Sequence, residues 1–534
     1  MKRSSVEAMK RSRLRAFNRH QARARFNASS ASARIAPALA LLLGSVVVLA
    51  ALVLLLVWKP QPPPGSAKEP LTVYCAAGIK APVEAVAREY EKAFGVPVRL
   101  QFGGSQTLLA NAEVARLGDL FLPADDSYLE LARAKKLVAE TLPLARMTAV
   151  LAVKKGNPKK LRSVDDLLRA DVKLAQANPD AAAIGKLVRE ALQQTGQWDA
   201  LQKRTAVFKP TVNDVANDIK LGTVDAGFIW DAVAAQYPEL EPVRVPALEK
   251  AEAHISVAVL RSCPQPAAAL RFARYLGARD KGLPEFARQH FTPADGDVWA
   301  ETPEMVLYSG AMNRVAVEET LKRFQEREGV RITTVFNGCG ILVGQMKAGG
   351  RPDAYLTCDQ SFVPPVADLF AAAPVEMSAS DIVILVPKGN PKAIAALSDL
   401  AKPGLKIGLA NPEQSTLGAL TKRLLEQGGL LDAVMKNVVA QTPTADMLVN
   451  QIRTGSLDAT VVYVSNTMKV RDHLDIVALS GPGTTAVQTF SVGKNSQHKQ
   501  LAGRLLEALR SEESRGRYQA AGFQWRGQGG SAKP

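Results

Sequence analysis

Histidine and cysteine are scarce in this chain: five and four residues respectively out of 534. The histidines (His20, His254, His290, His473 and His498) are scattered, and Cys75, Cys263, Cys339 and Cys358 show neither a CxxC pair nor zinc-ligand spacing. No P-loop is present and no nucleophile–histidine–acid set can be picked out. The chain is therefore expected to be no enzyme and to carry no metal and no cofactor. The paired acids Asp125–Asp126 and Glu512–Glu513 read as solvated turns. For the cysteines two arrangements stay open, one bridge within each half or buried free thiols.

Acidic residues are also under-represented, giving a formal net charge of +16, but the imbalance is local. Residues 1–34 hold ten Lys/Arg against the single acid Glu7, so they supply +9 and leave only +7 to the other 500 residues. No nucleic-acid-binding motif accompanies the charge, and no nucleic-acid partner is expected. Charge is missing altogether from residues 35–58, 24 residues reading IAPALALLLGSVVVLAALVLLLVW. A membrane-spanning helix needs about 20 apolar residues and a signal-peptide core about 7–15. The reading is an uncleaved transmembrane anchor at 35–58, a basic cytoplasmic tail at 1–34 and a proline-rich linker at 59–70 (KPQPPPGSAKEP). The alternative is a long signal peptide that is removed. By the positive-inside rule the body lies across the membrane, in the periplasm or an equivalent extracytoplasmic space, tethered to the inner membrane in a single pass. Such a compartment permits disulfides.

The remainder is written twice. LAVKKGNPKK (151–160) returns as LVPKGNPKAI (385–394). Gly156, Asn178, Gly222 and Trp230 match Gly389, Asn411, Gly455 and Tyr463 at an offset of 233, and Tyr74, Phe102 and Asp119 match Tyr308, Phe336 and Asp353 at 234. A register held with one single-residue slip marks a tandem duplication of a whole domain, 71–299 and 300–530, and not a solenoid of about 20–50-residue repeats.

Each copy alternates strand-like and helix-like segments. In the first, LTVYCAA (71–77), a helical APVEAVAREYEKAFG (81–95), VPVRLQF (96–102) and a helical SQTLLANAEVARLG (105–118) follow one another; MVLYSGA, VAVEETLKRFQEREG, VRITTVF and GILVGQMKAGG repeat them. This predicts α/β layers with parallel sheets, whose ligands sit beyond the carboxyl ends of the strands. FGGSQTLL (102–109) has the matching form, with Gly103 and Gly104 permitting close backbone approach and Ser105 placed as an N-cap. ANPDAAAIGKLVREAL (177–192) and ANPEQSTLGALTKRLL (410–425) are similar entries into helices, and LGTVDAGFIW (221–230) and TGSLDATVVY (454–463) are turn-then-strand units ending in an aromatic.

Taken in order, VYCAAGIKAPVEAVAREYEKAFGVPV, FGGSQTLLANAEVARLGDLFLPADDSYL, VLAVKKGNPK, LAQANPD and VDAGFIW, with their second-copy counterparts, resemble the molybdate/tungstate-binding, type II periplasmic solute-binding proteins of ABC importers. The resemblance implies an α/β fold of two tandem type II periplasmic-binding-protein domains, each with two lobes around a cleft, closing on a small tetrahedral oxyanion for an ABC permease. It also implies ligand-binding positions: two serines, two backbone donors and a tyrosine. In the first copy these fall on Gly78, Ser105, Ala183, Val212 and Trp230; in the second on Met312, Cys339, Thr416, Ala445 and Tyr463. Each copy has lost part of the hydroxyl set, and a different part. The first is thus the expected binder, and a sensor or scaffold with decayed sites is the alternative to transport.

Overall fold

The computed structural model describes residues 69–527. The tail at 1–34, the segment at 35–58 and linker residues 59–68 lie outside them; among the described residues no helix is long and apolar enough to cross a membrane.

The predicted segments form where their spacing places them. The helix Lys80–Phe94 turns Val83, Val86, Ala87 and Tyr90 inward and ends at Gly95, whose φ of 64° is the left-handed cap that a side chain would strain. Its counterpart Arg314–Glu328 ends at Gly329 in the same way. In the first copy the strands run in the order Val98–Gly103, Leu71–Ala76, Leu120–Leu122, Glu252–Leu260, Val138–Lys154, Ala226–Trp230, Leu174–Ala177 and Thr205–Lys209. The second copy repeats that order strand for strand.

The sheets are not purely parallel, as the strand–helix alternation predicted. Leu71–Ala76 pairs in parallel with both of its neighbours, and Leu174–Ala177 does likewise in its own sheet. Between these groups the 17-residue strand Val138–Lys154 runs antiparallel to its partners. Its residues up to Thr148 pair with Glu252–Leu260, whereas Ala149 onward pairs with Ala226–Trp230. The chain must leave one sheet, build another and return, so a strand shared by two lobes has to meet its returning neighbour head to tail. In the second copy Val375–Pro387 changes partner between Asp381 and Ile382. Each copy is therefore two α/β lobes joined by strands that belong to both.

The described residues belong to one compact unit. The two copies are fastened by a buried ionic triad. Glu328, 1% exposed, accepts from Arg274 of the first copy (3.2 Å) and from Arg504 (2.6 and 3.1 Å), while Arg274 also donates to the Glu328 carbonyl at 2.6 Å. Nearby, the Asp297 carboxylate accepts from the Gln500 and Leu501 amides at the start of the helix Lys499–Leu509, at 2.9 and 3.0 Å, where a helix end favours an anion. Burial by itself pushes the Glu328 carboxyl up, but the two guanidiniums outweigh it and hold the group below the usual carboxylate range. The triad's contribution is thus present above the unfolded glutamate pKa and is lost only as pH falls through the lower folded value. Glu328→Gln, which leaves two buried guanidiniums without a counter-charge, should lower stability by about 3–5 kcal/mol in urea unfolding near neutral pH. Replacing the three residues together by apolar ones should restore most of that loss; an unchanged midpoint for the single variant would contradict the role given to the triad.

Candidate functional site

In the first copy all five implied positions come together. Ala76–Gly78, Gly103–Ser105 and Ala124 from one lobe face Ala182–Ile184, Thr211–Val212 and Trp230 from the other. They surround a void of about 230 Å³ counted out to its mouth. No charged side chain lines it. What points at it are chain ends: the helices Ser105–Ala115, Ala183–Gln194 and Val212–Leu221 all begin at the void. The first N–H groups of a helix have no partner within the helix and carry a partial positive charge. Thr211 closes the third of these helices with a capping box, accepting from the Asp214 amide at 3.3 Å, and so fixes where that helix starts.

Ser105 is not the N-cap that its position predicted. Gly104 holds that place, and Ser105 is the first helical residue. The Ser105 hydroxyl reaches across to accept the Ala124 amide at 3.1 Å. With one lone pair so engaged, its own O–H is left for another acceptor. Gly104 is required for a different reason: a Cβ there would lie 2.4 Å from the Ala181 carbonyl oxygen of the opposite lobe. That carbonyl accepts the Gln106 amide at 3.0 Å, so the lobes already touch, main chain to main chain.

Gly78 and Trp230 are sterically coupled. A Cβ on Gly78 would sit 3.1 Å from Trp230 Cδ1 and 3.1 Å from Val212 Cγ1. The larger ring occupies the space in which a serine side chain would stand.

The second copy places Met312, Cys339, Thr416, Ala445 and Tyr463 at the corresponding points, all buried. Cys339, Thr416 and Ala445 open the helices Cys339–Lys347, Thr416–Gln427 and Ala445–Arg453. Here Cys339 Sγ accepts the Cys358 amide at 3.1 Å, the same bond that Ser105 makes with Ala124. Cys358, which the motif comparison passed over, therefore stands where Ala124 stands; its offset of 234 from Ala124 was the available signal. Burial pushes the Cys339 thiol up, but the donors of Cys358, Tyr355 and Thr416 around it bring it below its ordinary value. The Cys358 thiol goes the other way, raised by Cys339 and by burial. The Tyr463 hydroxyl is buried without a hydrogen-bond partner. Ser309, three residues before Met312, turns its hydroxyl onto the Gly310 carbonyl (3.3 Å) and away from any rescue of the lost serine.

All four cysteines are free thiols. Cys263 Sγ donates to the Asp119 carboxylate at 3.1 Å and Cys75 is buried. The acidic pair Asp125–Asp126 is not a solvated turn, because Asp125 is buried and Asp126 half-buried at the start of the helix Ser127–Ala134. Burial raises the Asp126 carboxyl to about 6, with one oxygen held by the Ser256 hydroxyl at 2.8 Å and the other unpartnered. Glu512 and Glu513 are exposed as predicted, but they open the helix Glu512–Ala520 and do not form a turn.

The family described as "Bacterial extracellular solute-binding protein" matches the chain twice, over residues 71–292 and 305–524, and the chain belongs to that family as a tandem duplication. "Molybdate-binding protein ModA" of Mycobacterium tuberculosis is 26% identical over 234 residues, covering 43% of this chain and 85% of the relative. The ModA protein of Escherichia coli is 29% identical over 178 residues, covering 31% of this chain and 68% of its own length. Among solved structures, the periplasmic molybdate-binding protein of Azotobacter vinelandii is 19% identical with a TM-score of 0.36, covering 42% of this chain and all of that one.

Two outcomes follow. Gly104→Ala should force the lobes apart at the Ala181 carbonyl, and hydrogen exchange at the Gln106 amide should quicken; unaltered protection would show that the contact does not hold the lobes. For Asp126, a folded pKa of about 6 against an ordinary carboxyl near 4 means that folding is favoured below the lower value and penalised as pH rises through 6. Asp126→Asn should therefore stabilise the protein by about 2–3 kcal/mol at pH 8 and by much less at pH 4, read from unfolding curves at the two pH values.

Proposed function

We propose that the chain is a membrane-anchored extracytoplasmic solute-binding protein whose first cleft captures a small tetrahedral oxyanion of the molybdate or tungstate kind for an ABC importer. The observation that carries this reading is the convergence of helix starts from two lobes on a small void without a charged side chain. Oriented N–H and O–H dipoles satisfy a desolvated dianion, whereas a buried counter-charge would hold it by an ion pair that is harder to release. Ser105 supplies the hydroxyl, Ala183 and Val212 the amides at their helix starts, and Trp230 an indole N–H in place of a phenol. The curated relatives bearing the molybdate-binding name support the same ligand class. The partner is a permease with its ATPase, and the role is binding, not catalysis. Residues 35–58 hold the body at the inner membrane on the periplasmic side, in keeping with their 24 uncharged residues and the basic flank.

A second reading, a sensor or scaffold that kept the fold, is favoured by two features: the Gln106 amide is already taken by Ala181, and the Gly78 position has no hydroxyl. Calorimetric titration of the full chain with molybdate, tungstate and sulfate separates the two. One equivalent of molybdate or tungstate should bind, and Ser105→Ala should weaken it by about 1–3 kcal/mol, a charge-assisted hydrogen bond. No heat with any of the three anions would leave the sensor reading standing, and an unchanged affinity for Ser105→Ala would move the pocket elsewhere.

A further inference from the structure

The first-lobe lining of the second cleft departs from that of the first in one chemical direction. Gly78, Ser105 and Ala124 are replaced by Met312, Cys339 and Cys358, so three lining positions have each acquired sulfur. The two thiols are not scattered. A Cβ built on Gly310, at the register position of the lining residue Ala76, would meet Cys358 Sγ at 2.2 Å and Cys339 Sγ at 3.3 Å, so both sulfurs lie close to one point. Around them are the buried hydroxyl of Tyr463, which has no hydrogen-bond partner, the buried hydroxyl of Thr416, and the starts of three helices. The Tyr463 O–H is therefore open to an acceptor held beside the two sulfurs.

We propose that the second cleft is a site for a monovalent thiophilic metal ion, Cu(I) or Ag(I), held between the sulfurs of Cys339 and Cys358. Thiolate and thioether donors select such ions over the hard, oxygen-seeking ones. Among the described residues no three His, Cys, Asp or Glu side chains are grouped, so the donor set suits a two-coordinate ion and not the four-coordinate cage of structural zinc. The charges balance as well. Two thiols binding one M⁺ release two protons and leave a bis-thiolate unit of net charge −1. A cleft walled by helix starts is built to hold a buried anion, and it would hold this one as the first cleft holds an oxyanion. Tyr463 and Thr416 can donate to the thiolate sulfurs, and Met312, at the register position of Gly78, is placed to add a weak thioether contact. The proposal does not depend on what the first cleft binds.

The test uses the full chain, reduced and kept anaerobic, after a thiol titration in denaturant has counted four free cysteines. Cu(I) is presented as its bicinchoninate complex. The wild-type chain should withdraw one equivalent, and X-ray absorption of the loaded protein should show a first shell of sulfur only. Cys339→Ser and Cys358→Ala, which restore the residues of the first copy, should each weaken retention at least a hundredfold, whereas Cys75→Ser and Cys263→Ser should retain the ion. No withdrawal by the fully reduced wild type overturns the proposal. So does equal retention by the Cys339→Ser/Cys358→Ala double variant, or a first shell of nitrogen and oxygen. Should either variant fold poorly, the absorption spectrum of the wild type still decides.

Discussion

Helix starts cannot be buried facing one another unless something with negative character lies between them, because each presents N–H groups with no partner in its own helix. That constraint governs both copies. Where the lobes touch, a carbonyl supplies the acceptor: Ala181 for the Gln106 amide at 3.0 Å, and Gln414 for the Ile341 amide at 3.4 Å. The approach is so close that a Cβ on Gly104 or Gly338 would lie 2.4 or 2.2 Å from those oxygens. Small residues around the cleft follow from this, since main chain can meet main chain only where side chains are absent. In the first copy a void remains beyond the contact, with three helix starts facing it.

Around these helix starts the two copies differ in chemistry and agree in geometry. In the first, a Cβ on Gly78 would lie 3.1 Å from Trp230 Cδ1, so the absence of a side chain at one position goes with the large ring at the other. The second carries the Tyr463 phenol and has sulfur where the first has oxygen: Cys339 accepts the Cys358 amide at the same 3.1 Å at which Ser105 accepts the Ala124 amide.

Much of this was legible in the sequence, for definite reasons. Helices such as Lys80–Phe94 have strong 3.6-residue periodicity and a glycine stop, and the duplication gave two readings of every element. The ten positions implied by the resemblance all fall at helix starts, in the turn leading into one, or at strand ends. What stayed hidden depends on distant pairing. The antiparallel strands Val138–Lys154 and Glu252–Leu260 look like any apolar run, and only their register shows that one strand serves two lobes. Ser105 looked like a cap because the residue type fits, but its acceptor is wanted by Ala124, 19 residues on. Asp125 and Asp126 looked solvated because nothing local says that a second strand covers them. The membrane segment at 35–58 lies outside the described residues and rests on composition alone.

The joint between the copies has a consequence for how the two clefts work. Arg274, Glu328 and Arg504, with Asp297 at the head of Lys499–Leu509, belong to the first lobe of each copy, and so do Arg327 and Glu140, which pair across the same joint. Among the described residues, the ion pairs and hydrogen bonds that link the copies all arise in these two lobes. The second lobes, residues 149–250 and 382–484, are held to the rest through the shared strands and the cleft contacts themselves. A buried ionic joint resists sliding, because any shift strands a charge. A glycine–carbonyl contact across a cleft costs little to part once its amide can find another acceptor. The architecture thus joins the copies through their first lobes and attaches each second lobe only to its own copy. That independence is the physical condition under which a duplicated domain is free to let its copies diverge.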